Sequence, residues 1–123
     1  MSKIITTMFL SVLIALGLPS ITESYYIDTV ADTKGEYMVL ANIYAHEYGV
    51  SAKKMKQVVK CESGWRANAK NITERESSYG LSQLNLKAHR HISIEQATDP
   101  DFALEFMAKE FKRGNARIWT CAR

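Results

Sequence analysis

The chain has 123 residues, of which 46% are hydrophobic and 24% are charged, and its formal net charge at pH 7 is +3. These values are typical of one folded domain and exclude an intrinsically disordered chain. The basic residues form no run, and neither a glycine-rich phosphate loop nor a metal-binding pattern of Cys and His is present, so we expect no nucleic-acid partner, no cofactor and no metal.

The first 24 residues have the pattern of a secretory signal peptide. A positive start at Lys3 precedes an uncharged run over residues 4–18, and Thr22 and Ser24 are small residues of the kind found at cleavage sites. The uncharged run is short for a membrane-spanning helix, which needs about 20 apolar residues. We therefore expect cleavage near Ser24 and an exported protein, periplasmic or extracellular. The alternative is a retained segment 1–24 that anchors the protein in a membrane.

Two helices are predicted after a polar lead-in at residues 25–35. Residues 36–48 repeat apolar side chains at helical spacing, and Gly49 can end this first helix. Ser51 is placed to cap a second helix, and Gly64 can stop it in the left-handed conformation.

Glu62 extends the apolar stripe of the second predicted helix. Met55, Val58 and Val59 precede it at the spacing of one helix face. Apolar surroundings disfavour the charged form of a carboxylic acid, and a general acid near neutral pH must hold its proton. Glu62 is therefore a candidate catalytic acid. From the helix alone, pairing with an arginine or a place at the helix rim explains it equally well.

The rest of the chain predicts one more long helix and little β structure. A small hairpin is compatible with residues 70–82, and no segment has the pattern of a long strand. Ser93 and Gln96 have the spacing of a capping box, and Asp99 followed by Pro100 opens a long helix. Gly114 ends that helix, whose apolar stripe comprises Ala103, Leu104, Met107, Ala108 and Phe111. The predicted fold class is mainly α.

The two cysteines, Cys61 and Cys121, indicate a disulfide, because an even pair in an exported protein is usually bonded. The bond would close most of the mature domain into one loop. Two free buried thiols are the alternative, which an oxidising compartment disfavours.

Two segments resemble enzymes that cleave bacterial cell-wall glycans. The segment Cys-Glu-Ser-Gly-Trp at residues 61–65 resembles the end of the catalytic helix of lytic transglycosylases. The segment Ser-Tyr-Gly-Leu-Ser-Gln-Leu-Asn at residues 78–85 resembles the Ser-x-Gly-Leu-x-Gln motif of the soluble lytic transglycosylase domain. It is also similar to the Asp-Tyr-Gly-Ile-x-Gln-Ile-Asn segment of chicken-type lysozymes. The resemblance covers roughly residues 36–121.

The resemblance implies a lysozyme-like α+β domain at residues 36–123 and cleavage of the β-1,4 bond between N-acetylmuramic acid and N-acetylglucosamine. It makes Glu62 the catalytic acid and base, peptidoglycan strands the partner, and a monomer the expected state. The substrate-binding residues that it implies are Ser63, Trp65, Ser78, Tyr79, Gln83 and Asn85. For Trp65, simple packing is an equal alternative to stacking on a sugar.

The chain departs from the chicken-type lysozyme pattern at Ser78, which stands where those enzymes carry a second carboxylate. Glu74 and Glu76 lie nearby but do not align with that position. Glycosidases of the two-carboxylate type need an acid and a nucleophile or base, whereas lytic transglycosylases use one Glu and leave a 1,6-anhydro end. We therefore expect the transglycosylase reaction. A hydrolytic lysozyme of the same fold and a non-catalytic wall-glycan-binding module are the alternatives.

A second departure is the missing Ala-Tyr-Asn motif of many soluble lytic transglycosylase domains, which leaves the role of its tyrosine unassigned. Trp119 is a candidate to line the cleft or to pack on the disulfide. His89 and His91 lie on a polar segment and are expected to be solvated.

Overall fold

The structure is a computed structural model that describes residues 33–123, so the predicted signal peptide and most of the lead-in lie outside the described residues. The described part contains helices α1 to α4, strands β1 to β3 and two 3-10 helices. In chain order they are α1 Thr33–Tyr48, α2 Ala52–Ser63, β1 Lys70–Ile72, β2 Ser77–Tyr79, β3 Leu84–Asn85, α3 Ile94–Thr98, α4 Pro100–Lys112, and the 3-10 helices Ala116–Ile118 and Thr120–Ala122. The mainly α fold with a small β element is confirmed.

The helices begin and end where local sequence signals place them. The Ser51 hydroxyl accepts the backbone N–H of Lys54 at 3.1 Å, and Gly64 ends α2 in the left-handed conformation with φ of 59°. Ser93 forms the predicted capping box at the start of α3, and Asp99 caps α4. None of the helices within residues 33–123 is long and apolar enough to cross a membrane.

The core lies between the apolar stripes of α2 and α4. The stripe residues Met55, Val58, Val59, Ala103, Leu104, Met107 and Ala108 are each at most 1% exposed. Ala41 and Ala45 of α1 and Leu81 and Leu84 of the hairpin region complete this core together with Trp65 and Trp119. Burial of each large apolar side chain contributes about 1.5–3 kcal/mol. The helix that carries Glu62 is therefore held firmly along its length.

The three strands form one antiparallel sheet in the order β1-β2-β3. Ile72 pairs with Ser77 across the first turn, and Ser78 pairs with Asn85 on β3. The predicted hairpin is confirmed. The third strand was not predicted, because two residues are too few to show a period.

Two tyrosines of α1 bind carboxylates of α4. The Tyr44 hydroxyl donates to Asp101 at 2.6 Å, and the Tyr48 hydroxyl donates to Glu105 at 2.7 Å. The hydrogen bond to Asp101, followed by burial, raises the pKa of Tyr44. The hydrogen bond from Tyr48, followed by that from Lys109, lowers the pKa of Glu105. These pairs fix α1 on α4.

The lowered pKa of Glu105 predicts an acid-dependent contribution to stability. A carboxylate with a lowered folded-state pKa stabilises the fold above its unfolded pKa, about 4.3, and loses that contribution as the pH falls through the folded value. We expect Glu105→Gln to cost at most about 1 kcal/mol at neutral pH, and we expect this cost to shrink as the pH falls below the unfolded pKa, measured by urea denaturation. Glu74→Gln is the control with no such dependence. A cost for Glu105→Gln that does not change with pH would contradict the assignment.

Candidate active site

A cleft of about 880 Å³ lies between the hairpin region and the C-terminal segment, with Glu62 in its wall. Its other lining residues come from the β1–β2 turn, from β3 and the loop that follows it, and from residues 118–123. They are Arg75, Glu76, Gln83, Leu84, Asn85, Ala88, His89, Ile118, Trp119, Thr120 and Arg123. The volume lies in the usual range of about 300–1,000 Å³ for ligand sites.

Glu62 is half-buried at the end of α2, and one of its two carboxyl oxygens is fixed by the backbone. Its Oε1 accepts the backbone N–H of Cys121 at 3.0 Å. Within residues 33–123, no other hydrogen bond to this carboxyl group is found. The carboxyl group is thus oriented by one backbone contact, and these residues leave its Oε2 unengaged.

The predicted disulfide is present and lies beside Glu62. Cys61 and Cys121 are bonded with a Cα–Cα distance of 6.0 Å. Cys61, which precedes Glu62, is thereby joined to Cys121, whose backbone N–H binds Glu62. Trp119 anchors the same segment, because its indole N–H donates to the backbone oxygen of Ser82 at 2.6 Å and its side chain is 3% exposed. The C-terminal wall of the cleft is therefore tied to α2 and to the hairpin region.

Loss of the disulfide should weaken the fold and the wall of the cleft together. We expect Cys61→Ser combined with Cys121→Ser to lower the free energy of unfolding by about 2–4 kcal/mol, because the bond closes a long loop in the unfolded chain. Urea denaturation with and without dithiothreitol measures the effect. The reductant should shift the wild-type curve and leave that of the double variant unchanged. An unshifted wild-type curve, with reduction verified by mass, would contradict the expectation.

The motif at residues 78–85 is mainly structural. Gly80 has φ of 80°, and a Cβ atom there would lie 1.8 Å from the backbone oxygen of Ala97 at the end of α3. Gln83 Nε2 donates to the backbone oxygens of Ala69 at 3.1 Å and Gly80 at 3.0 Å. The Ser82 hydroxyl donates to the backbone oxygen of Ala103 on α4 at 3.0 Å. The motif thus holds the hairpin region on α3 and α4.

Of the residues in this motif that are predicted to bind substrate, Gln83 and Asn85 line the cleft. The Oδ1 atom of Asn85 accepts the backbone N–H groups of Ser77 at 3.2 Å and Lys87 at 3.1 Å. Its amide nitrogen is therefore the group that can donate to a ligand. Tyr79 is half-buried, packs against the core and is not among the residues that line the cleft.

Three residues predicted to contact substrate are instead buried. Ser63 is 2% exposed, Ser78 is 0% exposed and Trp65 is 6% exposed. The Ser63 hydroxyl donates to the backbone oxygen of Val59 at 3.1 Å, and Trp65 belongs to the hydrophobic core. The Ser63 contact supports the end of α2, and the burial of Trp65 agrees with simple packing, the alternative to stacking on a sugar. The buried Ser78 meets the cleft through a neighbour.

That neighbour is Glu76, one of the two nearby carboxylates that do not align with the second carboxylate of lysozymes, and it lines the cleft. Its Oε1 accepts the hydroxyl of Ser78, and its Oε2 accepts Asn71 Nδ2 at 3.3 Å. Side chains alternate between the two faces of an extended chain, so residues 76 and 78 lie on the same face. This spacing is the sequence signal that could have paired Glu76 with Ser78. Glu74 differs, because it is exposed and the hydrogen bond found for it within residues 33–123 is at its backbone oxygen, which accepts Lys87 Nζ at 2.6 Å.

His89 also lines the cleft. The sequence predicted a solvated side chain on a polar segment. Its ring is half-buried and meets the ring of Phe106 edge-on, with centroids 5.4 Å apart, whereas His91 is exposed. Within residues 33–123, no group of three or more Cys, His, Asp or Glu side chains is arranged to hold a metal ion.

No protein-family model, curated protein or solved structure matches the chain. The function must therefore be inferred from the residues of the cleft and from the resemblance of the two motifs.

Proposed function

We propose that the protein cleaves the β-1,4 bond between N-acetylmuramic acid and N-acetylglucosamine in peptidoglycan, and that its fold is lysozyme-like. The observation that carries this proposal is the placement of Glu62. It lies near the end of a helix whose apolar face is buried, in the wall of a cleft shared with Gln83 and Asn85 of the second motif, with one carboxyl oxygen unengaged by residues 33–123. The disulfide supports action outside the cytoplasm, because such bonds persist in oxidising compartments.

In the proposed reaction, Glu62 performs both proton transfers. As an acid it donates its proton to the glycosidic oxygen while the N-acetyl group of the substrate assists departure of the leaving sugar. As a carboxylate it then accepts the proton of the C6 hydroxyl, whose oxygen closes a 1,6-anhydro ring. The N–H of Cys121 stabilises the carboxylate between the two steps through a charge-assisted hydrogen bond.

The hydrogen bonds of Glu62 and Glu76, the two carboxylates of the cleft, favour a reaction that uses one Glu. Both oxygens of Glu76 accept hydrogen bonds from side chains of the hairpin, Ser78 and Asn71, which hold it against the sheet. Glu62 carries one such contact and has an oxygen left for the substrate. The transglycosylase route needs no second carboxylate to activate water.

The direct test of the proposal is digestion of purified cell-wall sacculi by the purified protein. We expect release of soluble, dye-labelled glycan fragments that increases with time and enzyme concentration. Binding to the sacculi without any release would contradict the proposal and favour a non-catalytic wall-binding module. Absence of both binding and release would exclude wall glycan as the ligand.

Hydrolysis is the second candidate function, and the observation in its favour is the presence of Glu76 in the same cleft as Glu62. A retaining hydrolase places its two carboxyl groups about 5 Å apart, and an inverting one places them about 6.5–9.5 Å apart with a water between them. In that role Glu76 would serve as the nucleophile or would activate the water.

Glu76→Gln separates the two reactions. If one Glu suffices, the variant should retain activity within about tenfold of wild type, because glutamine keeps an oxygen that accepts the Ser78 hydroxyl. If Glu76 is the second carboxylate, the rate should fall by about 100-fold or more. Initial rates of dye release measure the difference. Glu74→Gln, in the same turn but outside the residues that line the cleft, is the matched control and should act like wild type.

A further inference from the structure

A basic groove adjoins the cleft at Arg123. It is formed by two adjoining depressions that share Lys54, Ala122 and Arg123. Its cationic residues are Lys53 and Lys54 of α2 together with Arg117 and Arg123 of the C-terminal segment. Arg123 also lines the cleft, so the groove and the candidate active site are adjacent.

Within residues 33–123, no carboxylate side chain lines the two depressions of the basic groove. The ion pairs found within residues 33–123 join Lys109 to Glu105 and Arg113 to Glu110, and neither includes a cation of the groove. Lys54 lies over the ring of Phe111, 5.8 Å from its centroid, and Arg123 Nε donates to the backbone oxygen of Arg117 at 3.1 Å. Grouped cations of one sign repel one another and concentrate anions at a surface. The groove therefore has the chemistry of a binding site for a ligand with several negative charges.

The cleft differs in charge from the basic groove. It contains the carboxylates Glu62 and Glu76 as well as Arg75 and Arg123, so its charges are mixed. An uncharged sugar backbone suits the cleft, and an anionic branch that leaves the backbone near the cleaved bond suits the groove. Peptidoglycan has this construction, because each muramic acid carries a peptide that bears carboxylates.

We infer that the basic groove binds the carboxylates of the peptides that branch from the glycan strand while the sugars occupy the cleft. This inference rests on the proposed function. It makes Lys53, Lys54 and Arg117 determinants of specificity for peptide-bearing glycan, with Arg123 at the junction. The disulfide holds the C-terminal segment on α2 and so keeps the two lysines and the two arginines together.

The test compares binding of glycan oligomers of one length with and without their peptides. It uses the full chain with Glu62→Gln to prevent turnover, and fluorescence anisotropy of labelled oligomers as the readout. The peptides should tighten binding about tenfold at low salt, and 1 M NaCl should remove most of this gain because the screening length falls to about 3 Å. The combined variant Lys53→Gln, Lys54→Gln and Arg117→Gln should bind both oligomers with the affinity of the bare glycan.

The matched control removes the same charge elsewhere, with Lys34→Gln, Lys70→Gln and Arg90→Gln, three exposed residues outside the groove. It should keep the full gain from the peptides. If the groove variant also keeps that gain, or loses affinity equally for both oligomers, the inference is wrong. Tighter binding of poly(glycerol phosphate) than of peptide-bearing glycan would overturn it in favour of a phosphodiester ligand. Binding of bare glycan without a peptide gain would overturn the inference alone, whereas binding of neither oligomer would also overturn the proposed function.

Discussion

Glu62→Gln is expected to lower the rate of glycan release by about 10³–10⁴-fold while the protein stays folded. General acid and base catalysis by one group contributes about 10²–10⁴-fold, and Glu62 is proposed to perform both steps. Glutamine retains an oxygen that can accept the N–H of Cys121, so the contact that fixes the side chain survives. Initial rates on labelled sacculi and thermal denaturation measure the two effects.

Glu74→Gln again serves as the control for Glu62→Gln, because it removes one exposed carboxylate that does not line the cleft. It should change the rate by less than about twofold, in line with the small effects of exposed charges. Activity of the Glu62 variant within tenfold of wild type would remove Glu62 from the reaction. Loss of folding in that variant would instead show that the carboxylate is structural.

Gly80→Ala is expected to destabilise the domain by about 3–5 kcal/mol. The left-handed conformation of Gly80 costs an alanine about 1–2 kcal/mol, and overpacking typically adds about 1–3 kcal/mol. The overpacking is severe here, because the new Cβ would lie 1.8 Å from the backbone oxygen of Ala97, so α3 or the hairpin region must move. The midpoint of urea denaturation measures the loss.

Gly114→Ala is the matched control for Gly80→Ala. Gly114 has φ of 81°, close to that of Gly80, and a Cβ atom there meets nothing within 4 Å. This variant should lose only the conformational part, about 1–2 kcal/mol. Equal losses in the two variants would show that the contact between Gly80 and the end of α3 is not tight.

The helical part of the fold was predictable because its signals are local. Ser51, Ser93 and Asp99 cap helices through N–H groups within three residues, and Pro100 begins α4 by its own geometry. The stripes of α2 and α4 follow the helical period and are buried as predicted. α1 begins at Thr33, earlier than the predicted start at Glu36, so the end of the predicted polar lead-in is helical.

The residues of the site were only partly predictable, because contacts between distant segments decide which side chains reach the cleft. Ser78 aligns with a carboxylate of another family, yet the sheet buries it and puts Glu76 in the cleft. Trp65 follows Glu62 in the motif, but its positive φ of 65° accompanies a side chain that lies in the core. His89 reaches the cleft by packing on Phe106 of α4, a contact that no spacing in the chain reveals.

The Cys121 contact with Glu62 shows the same limit. Two cysteines behind a predicted signal peptide predict a bond, and the structure confirms the bond. The pattern does not predict that the backbone N–H of Cys121 binds the candidate catalytic carboxyl group. That contact depends on the turn of the C-terminal segment and on the anchoring of Trp119 at Ser82.

Mass spectrometry of the soluble products from purified peptidoglycan distinguishes the route with one Glu from hydrolysis. We expect muropeptides lighter by one water than their hydrolysed counterparts, formed by the wild-type protein and by Glu76→Gln but not by Glu62→Gln. Products with reducing ends that disappear in Glu76→Gln would contradict the route with one Glu and assign hydrolysis to the pair of carboxylates. Absence of any new product from the wild-type protein would contradict glycan cleavage itself.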